Sequence, residues 1–121
     1  MTSAKQDLIE EGRSEGERLA HGLALEALGR SPVVLKVAEV RQWVARRLGR
    51  DIDRTESELR LRRAMLAAGM KEPPRDRNGK VTRLKVDGLY HNVVASFDLE
   101  DGLTWGQIKE HHKSPEVVAI M

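Results

Sequence analysis

Arg60 and Arg63 stand three residues apart in the chain, and the chemistry they suit is recognition rather than bond making. A guanidinium is a planar fork of N–H donors that never loses its charge. It matches the O6/N7 edge of guanine and the oxygens of a phosphate. Two such groups at i and i+3 on a helix point the same way. Further candidates flank them: Lys36 before, Arg54, Thr55 and Ser57 just upstream, and Arg75, Arg77, Lys80 and Arg83 downstream. These ten residues are the candidate contacts to nucleic acid.

The charge distribution supports that choice of partner. The chain has 121 residues and a formal net charge of +2. From Lys36 to Lys85 there are fifteen Lys and Arg against seven Asp and Glu; the remainder holds six against twelve. A basic middle between acidic flanks is a polarised molecule, and the phosphate backbone of a nucleic acid is the commonest partner of such a patch. The plain alternative is a solvated surface with chance clustering.

These residues need elements to hold them, and helix starts are legible. Ser or Thr followed three residues later by Glu or Gln occurs at Ser3/Gln6, Ser14/Glu17, Thr55/Glu58 and Thr104/Gln107. Such a box satisfies orphan amides at a helix N-terminus reciprocally. The first two open a helical region to about Leu28, which Gly29 and Pro32 end. Val33, Val34 and Leu35 form a short β-prone run. A helix follows with Val37, Val40, Trp43, Val44 and Leu48 on one side, stopping at Gly49.

The next helix is expected from about Glu56 to Ala68. At about 100° per residue, Leu59, Leu61, Met65, Leu66 and Ala68 form a broad core arc. Glu56, Ser57, Arg60, Arg63, Ala64 and Ala67 face outward. Arg62 falls inside the apolar arc and reads as structural. Downstream, Asn78-Gly79 is the strongest hairpin signal, because a type I′ turn needs positive φ at both central positions. Asp87-Gly88 is a second turn candidate, and either could join the main hairpin. Lys80 to Val86 alternates at period 2, and Leu89 to Ala95 is a further strand. A last helix is expected from Trp105 to about His112.

Enzymatic constellations are missing. There is no cysteine, hence no disulfide or thiolate site. No Gly-x-x-x-x-Gly-Lys-Ser/Thr loop and no Gly-x-Ser-x-Gly elbow occur. His111 and His112 are adjacent, so on a helix they diverge and do not chelate one metal. Asp98, Glu100 and Asp101 lack the pattern of a calcium loop. Trp43 and Trp105 read as core. No cofactor, no metal and no catalytic residue is expected, nor a membrane span of about 18 apolar residues. The start of the chain lacks the apolar region of a signal peptide, so a cytoplasmic location is the default expectation.

The order helix, short strand, helix, helix, hairpin is that of a winged helix-turn-helix, an α+β fold with mainly helical content. The expected division is a helical N-terminal arm over 1–30, a winged-helix domain over 31–97 and a C-terminal helix and tail over 98–121. In helix-turn-helix proteins the second helix of the motif enters the major groove; here that is the helix carrying Arg60 and Arg63, with the basic hairpin as the wing.

Two stretches also carry a resemblance. Ser3 to Ser14, SAKQDLIEEGRS, resembles the segment that follows the helicase core in phage and prophage primase–helicases. Val40 to Gly49, with Leu59 and the run Ala67 to Met70, is similar to the C-terminal winged-helix part of those proteins and of the virulence-associated E family. The resemblance implies a role in DNA replication, on duplex DNA and with a helicase or primase subunit as a further partner. It also implies that the chain is either a stand-alone relative or a fragment of a larger primase–helicase, since the ATPase and primase motifs are absent. Two other functions fit the same residues: a docking module of the replication machinery, and a small phage or plasmid transcription regulator.

Overall fold

In a computed structural model, residues 14–52, 57–100 and 102–120 are described. The expected boxes at Ser3/Gln6 and at Thr55, and the candidate contacts Arg54 and Thr55, lie outside these residues. The fold is mixed α+β, with five α-helices and small antiparallel strand pairs among the described residues.

Helix α1 runs Glu15–Gly29, and the Ser14 hydroxyl accepts the Glu17 amide at 3.1 Å. Strand β1 (Val34–Lys36) leads directly into α2 (Val37–Leu48), which Gly49 closes. Helix α3 is Glu58–Ala67. It starts later than the sequence suggested, because Ser57 is its N-cap and accepts the Arg60 amide at 3.3 Å. One hydroxyl two residues beyond Thr55 satisfies the orphan donor.

The largest helix–helix packing is between α1 and α3. Ala20, Ala24 and Ala27 of α1 are fully buried, as is Leu61 of α3, with Ala64 and Met65 beside it. Small side chains on α1 let the two backbones approach, and Leu61 and Met65 fill the space left. Val40, Trp43 and Val44 of α2 complete this core, together with Val118 of the C-terminal helix α5 (Pro115–Ile120). Burying each such Val or Leu stabilises by about 1.5–3 kcal/mol. Helices from all three segments of the expected division thus share one core.

The helical face of α3 differs from the expectation at two positions. Leu59, expected in the core, is 47% exposed; Ala64, expected outside, is 5% exposed. Leu59 and Leu61 lie about 200° apart around a helix, so both cannot face one partner. Contact with α1 centres the buried side on Leu61, Ala64 and Met65. The open face is Leu59, Arg60, Arg63 and Ala67.

After α3 the chain pairs Lys71 with Ala95 through two backbone bonds, of 2.7 and 2.8 Å. It then departs over residues 72–92 and returns as β4 (Val93–Ala95), antiparallel to β1. Within that excursion β2 (Leu84–Val86) pairs with β3 (Leu89–His91). The expected run Leu89–Ala95 is therefore two strands. Asn92 divides them; its carbonyl oxygen accepts the Val37 amide at 3.0 Å.

Both turn signals make turns, but the type I′ geometry sits at Asp87-Gly88, with φ of 49° and 84°. At Asn78-Gly79 only the glycine has positive φ, 77°. The cause is Asp76, whose Oδ1 accepts the amides of Asn78 (2.8 Å) and Lys80 (2.9 Å). That side-chain turn widens the loop and leaves Asn78 in ordinary backbone geometry. A single bridge, Arg75 to Val81, closes it.

The C-terminal segment also differs. Helix α4 is only Trp105–Ile108, followed by a 3-10 turn at Lys109–His111. The box at its start is present: the Thr104 amide donates to Gln107 Oε1 at 2.7 Å. Helix α5 was not expected, although Ser114 before Pro115 is a helix-start pattern and the Ser114 hydroxyl accepts the Val117 amide at 3.4 Å. It packs on α1 and α2. A second core gathers Val34, Leu84, Val93, Ala95, Leu99 and Ile108 beneath β2 and α4. Among the described residues no helix is long and apolar enough to cross a membrane.

Candidate nucleic-acid interface

Helix α3 and the 72–92 excursion carry the exposed candidate cations. Arg63 is exposed and makes no ion pair with a described residue. Arg60 is also exposed, but its Nη1 lies 3.8 Å from Glu17 Oε1 on α1. Glu17 is mostly buried, with 16% of its side chain exposed. The two arginines are thus alike in direction and unlike in company. Ala67 lies between them in angle and keeps this face low.

Arg62 does something else. Its side chain is 16% exposed; Nε stands 3.9 Å from Glu72 Oε2, and Nη1 is 3.5 Å from Asn92 Oδ1. Glu72 begins the excursion and Asn92 ends it. One guanidinium therefore links α3 to both roots of the hairpin region. The structural role expected of Arg62 stands, but it is an electrostatic tie and not only packing of its stem.

In the excursion, Arg77, Lys80 and Arg83 are exposed and free of ion pairs with described residues. Arg77 and Lys80 flank the Asn78-Gly79 turn. Arg75 is engaged differently. It donates to the Gly79 carbonyl oxygen at 2.8 Å and pairs with Glu72 at 3.2 Å, so it braces the loop.

Two other candidates are also internally committed. The Ser57 hydroxyl is occupied as the cap of α3. Lys36 lies at the end of β1 with Nζ 4.7 Å over the Trp105 ring. That ring meets His112 edge-on at 5.2 Å, and His112 Nε2 pairs with Glu39 at the start of α2. Lys36 therefore belongs to a cluster joining β1, α2 and the C-terminal segment. Trp43 is in the core, as expected, with Arg47 stacked over it at 5.3 Å. Arg47 is exposed, so its charge sits outside while its head covers the ring.

A groove of about 360 Å³ lies between α2 and the start of α3, lined by Ala38, Arg41, Gln42, Ala45, Asp51, Ile52 and Glu58. Arg41 reaches across it to the Ile52 carbonyl oxygen at 3.4 Å, so it holds the connection between the two helices. Among the described residues no group of three or more His, Cys, Asp or Glu is placed to hold a metal ion.

Sequence reasoning passed over one pair. Lys85 and Tyr90 face each other across β2 and β3, and Lys85 Nζ lies 5.9 Å from the ring centroid. The signal was present: placing the I′ turn at Asp87-Gly88 puts residues 85 and 90 opposite one another. Comparison with protein-family models, with curated proteins and with solved structures finds no match to this chain.

Proposed function

We propose that this chain is a winged-helix domain that binds duplex DNA and acts by binding rather than by catalysis. The observation that carries the reading is the open face of α3. Arg60 and Arg63 project from it beside Ala67, on a helix whose opposite side is anchored in the core. A rigid helix with arginines on one face and a small residue between them can approach a groove wall closely and offer bidentate donors to base edges. The order α1, β1, α2, α3, hairpin region, β4 also supports the reading, since β1 and β4 pair and leave residues 72–92 projecting as a wing. Arg77 and Lys80 on that wing serve the phosphate backbone, which holds register without reading sequence.

The resemblance of Ser3–Ser14, and of Val40–Gly49 with Leu59 and Ala67–Met70, to phage primase–helicases is what supports a role in DNA replication. The site then acts at an origin or a fork, beside a helicase or primase.

Fluorescence anisotropy on a labelled duplex at low salt tests the reading. Binding that weakens steeply with salt, and that Arg63→Ala weakens without lowering the melting temperature, supports it. No binding of the wild-type chain to any duplex at low salt overturns it and transfers the function to protein docking.

A further inference from the structure

We infer that the β2–β3 hairpin carries a subsite for an unpaired nucleobase, with Tyr90 as the stacking platform and Lys85 and Arg83 beside it for the flanking phosphates. The inference rests on the nucleic-acid reading above and adds a substrate class to it: DNA with a single-stranded segment.

Four observations lead there. The chain has four aromatic residues, and three are drawn inward: Trp43 is in the first core, while Phe97 and Trp105 pack against the second. Tyr90 is the one aromatic presented to solvent, 62% exposed. Second, the hairpin is two-faced. Leu84 and Val86 turn inward and are buried, whereas Lys85 and Tyr90, opposite each other in register, share the outward face. Third, no described element covers that face, and Leu89 beside the turn is also left 66% exposed. Fourth, the surroundings are cationic: Arg83 and Lys85 stand two residues apart on the strand side, and Asp87 at the tip is the one nearby carboxylate of the hairpin.

A flat apolar ring amid fixed positive charge suits a ligand that is itself flat and anionic. A nucleobase with its phosphates is such a ligand, whereas an apolar protein surface would leave the two cations unpaired. Base pairing decides between duplex and single strand. In a duplex the faces of the bases are already stacked on one another, so a tyrosine ring can take only a base that is unpaired or unstacked. Arg83 just precedes β2 and Lys85 lies within it, so two cations stand close together in the chain at the strand that pairs with that of Tyr90. Duplex binding on α3 and single-strand binding on the hairpin are then separate activities of one chain.

The test uses the full chain, an oligo-dT of about 15 nucleotides and a blunt duplex, read by anisotropy at one salt concentration. Tyr90→Ala is expected to weaken oligo-dT binding about tenfold and to leave blunt-duplex binding and the melting curve unchanged. Tyr90→Phe, which keeps the ring, is expected to retain oligo-dT binding. Equal losses on both DNAs, or no loss on oligo-dT, overturn the subsite. Wild-type binding to the duplex but not to oligo-dT overturns the subsite alone. Binding to oligo-dT but not to the duplex leaves the subsite standing and removes the duplex reading. Binding to neither removes both.

Discussion

Arg62 Nε lies 3.9 Å from Glu72 Oε2, and this pair joins the helix that presents the candidate arginines to the first residue of the excursion that presents the candidate wing. The separation is too long for a hydrogen bond. Asn92, at the far end of the excursion, supplies the second partner at 3.5 Å. Arg60 and Arg63, on the same helix and close in sequence, have no such link to the wing roots.

The three arginines of α3 should therefore separate in experiment. Arg62→Ala removes one of the two guanidinium groups beside Glu72, which keeps Arg75 at 3.2 Å. It also removes the packing of a largely buried side chain, and a loss of about 1–3 kcal/mol in stability is expected. Arg63→Ala should melt like the wild type and lose about 1–3 kcal/mol of duplex binding. Thermal melts and anisotropy on each variant check this. Equal behaviour of the two would sink the assignment of α3 as the reading element.

Arg60 differs from Arg63 in having Glu17 at 3.8 Å. An ion pair with a half-exposed partner contributes little to stability, about 0–1 kcal/mol, but it competes with any anion for the guanidinium. Glu17→Gln keeps an acceptor for the Ser14 hydroxyl, which lies 3.3 Å from Oε1. The expected result is a melt within about 1 kcal/mol of wild type and duplex binding tightened by up to about fivefold. Binding that is weakened would show that Glu17 positions Arg60 instead of competing for it.

Arg77 and Lys80 flank an exposed turn and bond through their side chains to no described residue. Alanine at either position should weaken binding alike for duplexes of different sequence, reducing the slope of log K against log salt by about 1. A loss confined to one sequence would make this loop a reader of bases.

Trp43 is 6% exposed and joins α1, α2 and α5 in one core. Trp43→Ala should cost about 3–5 kcal/mol, read from chemical denaturation. An unchanged transition midpoint would contradict the packing described above.

Local chemistry was enough for much of the fold. Ser14, Gly49 and the Thr104/Gln107 pair bound helices where their hydrogen-bonding and backbone preferences put them, because caps act on neighbours in sequence. That Arg60 and Arg63 share one direction and Arg62 another was legible from helical spacing alone. What could not be read locally was which side of α3 is buried. Its apolar residues occur nearly all around it, so Leu59 and Leu61 had equal claims until α1, with its row of alanines, packed on the side of Leu61, Ala64 and Met65. The choice of hairpin turn was decided likewise by a side chain, Asp76, that captured two amides and took Asn78 out of the running. Lys36 and Arg75 look like free cations in sequence, and only long-range contacts commit them to Trp105 and to Glu72 with Gly79. Sequence by itself determined the order of the elements from α1 to β2, most helix ends and the location of the positive charge, which follow from short-range stereochemistry and composition. Tertiary structure decided which faces are covered and which cations remain available, because burial and ion pairing depend on partners far away along the chain.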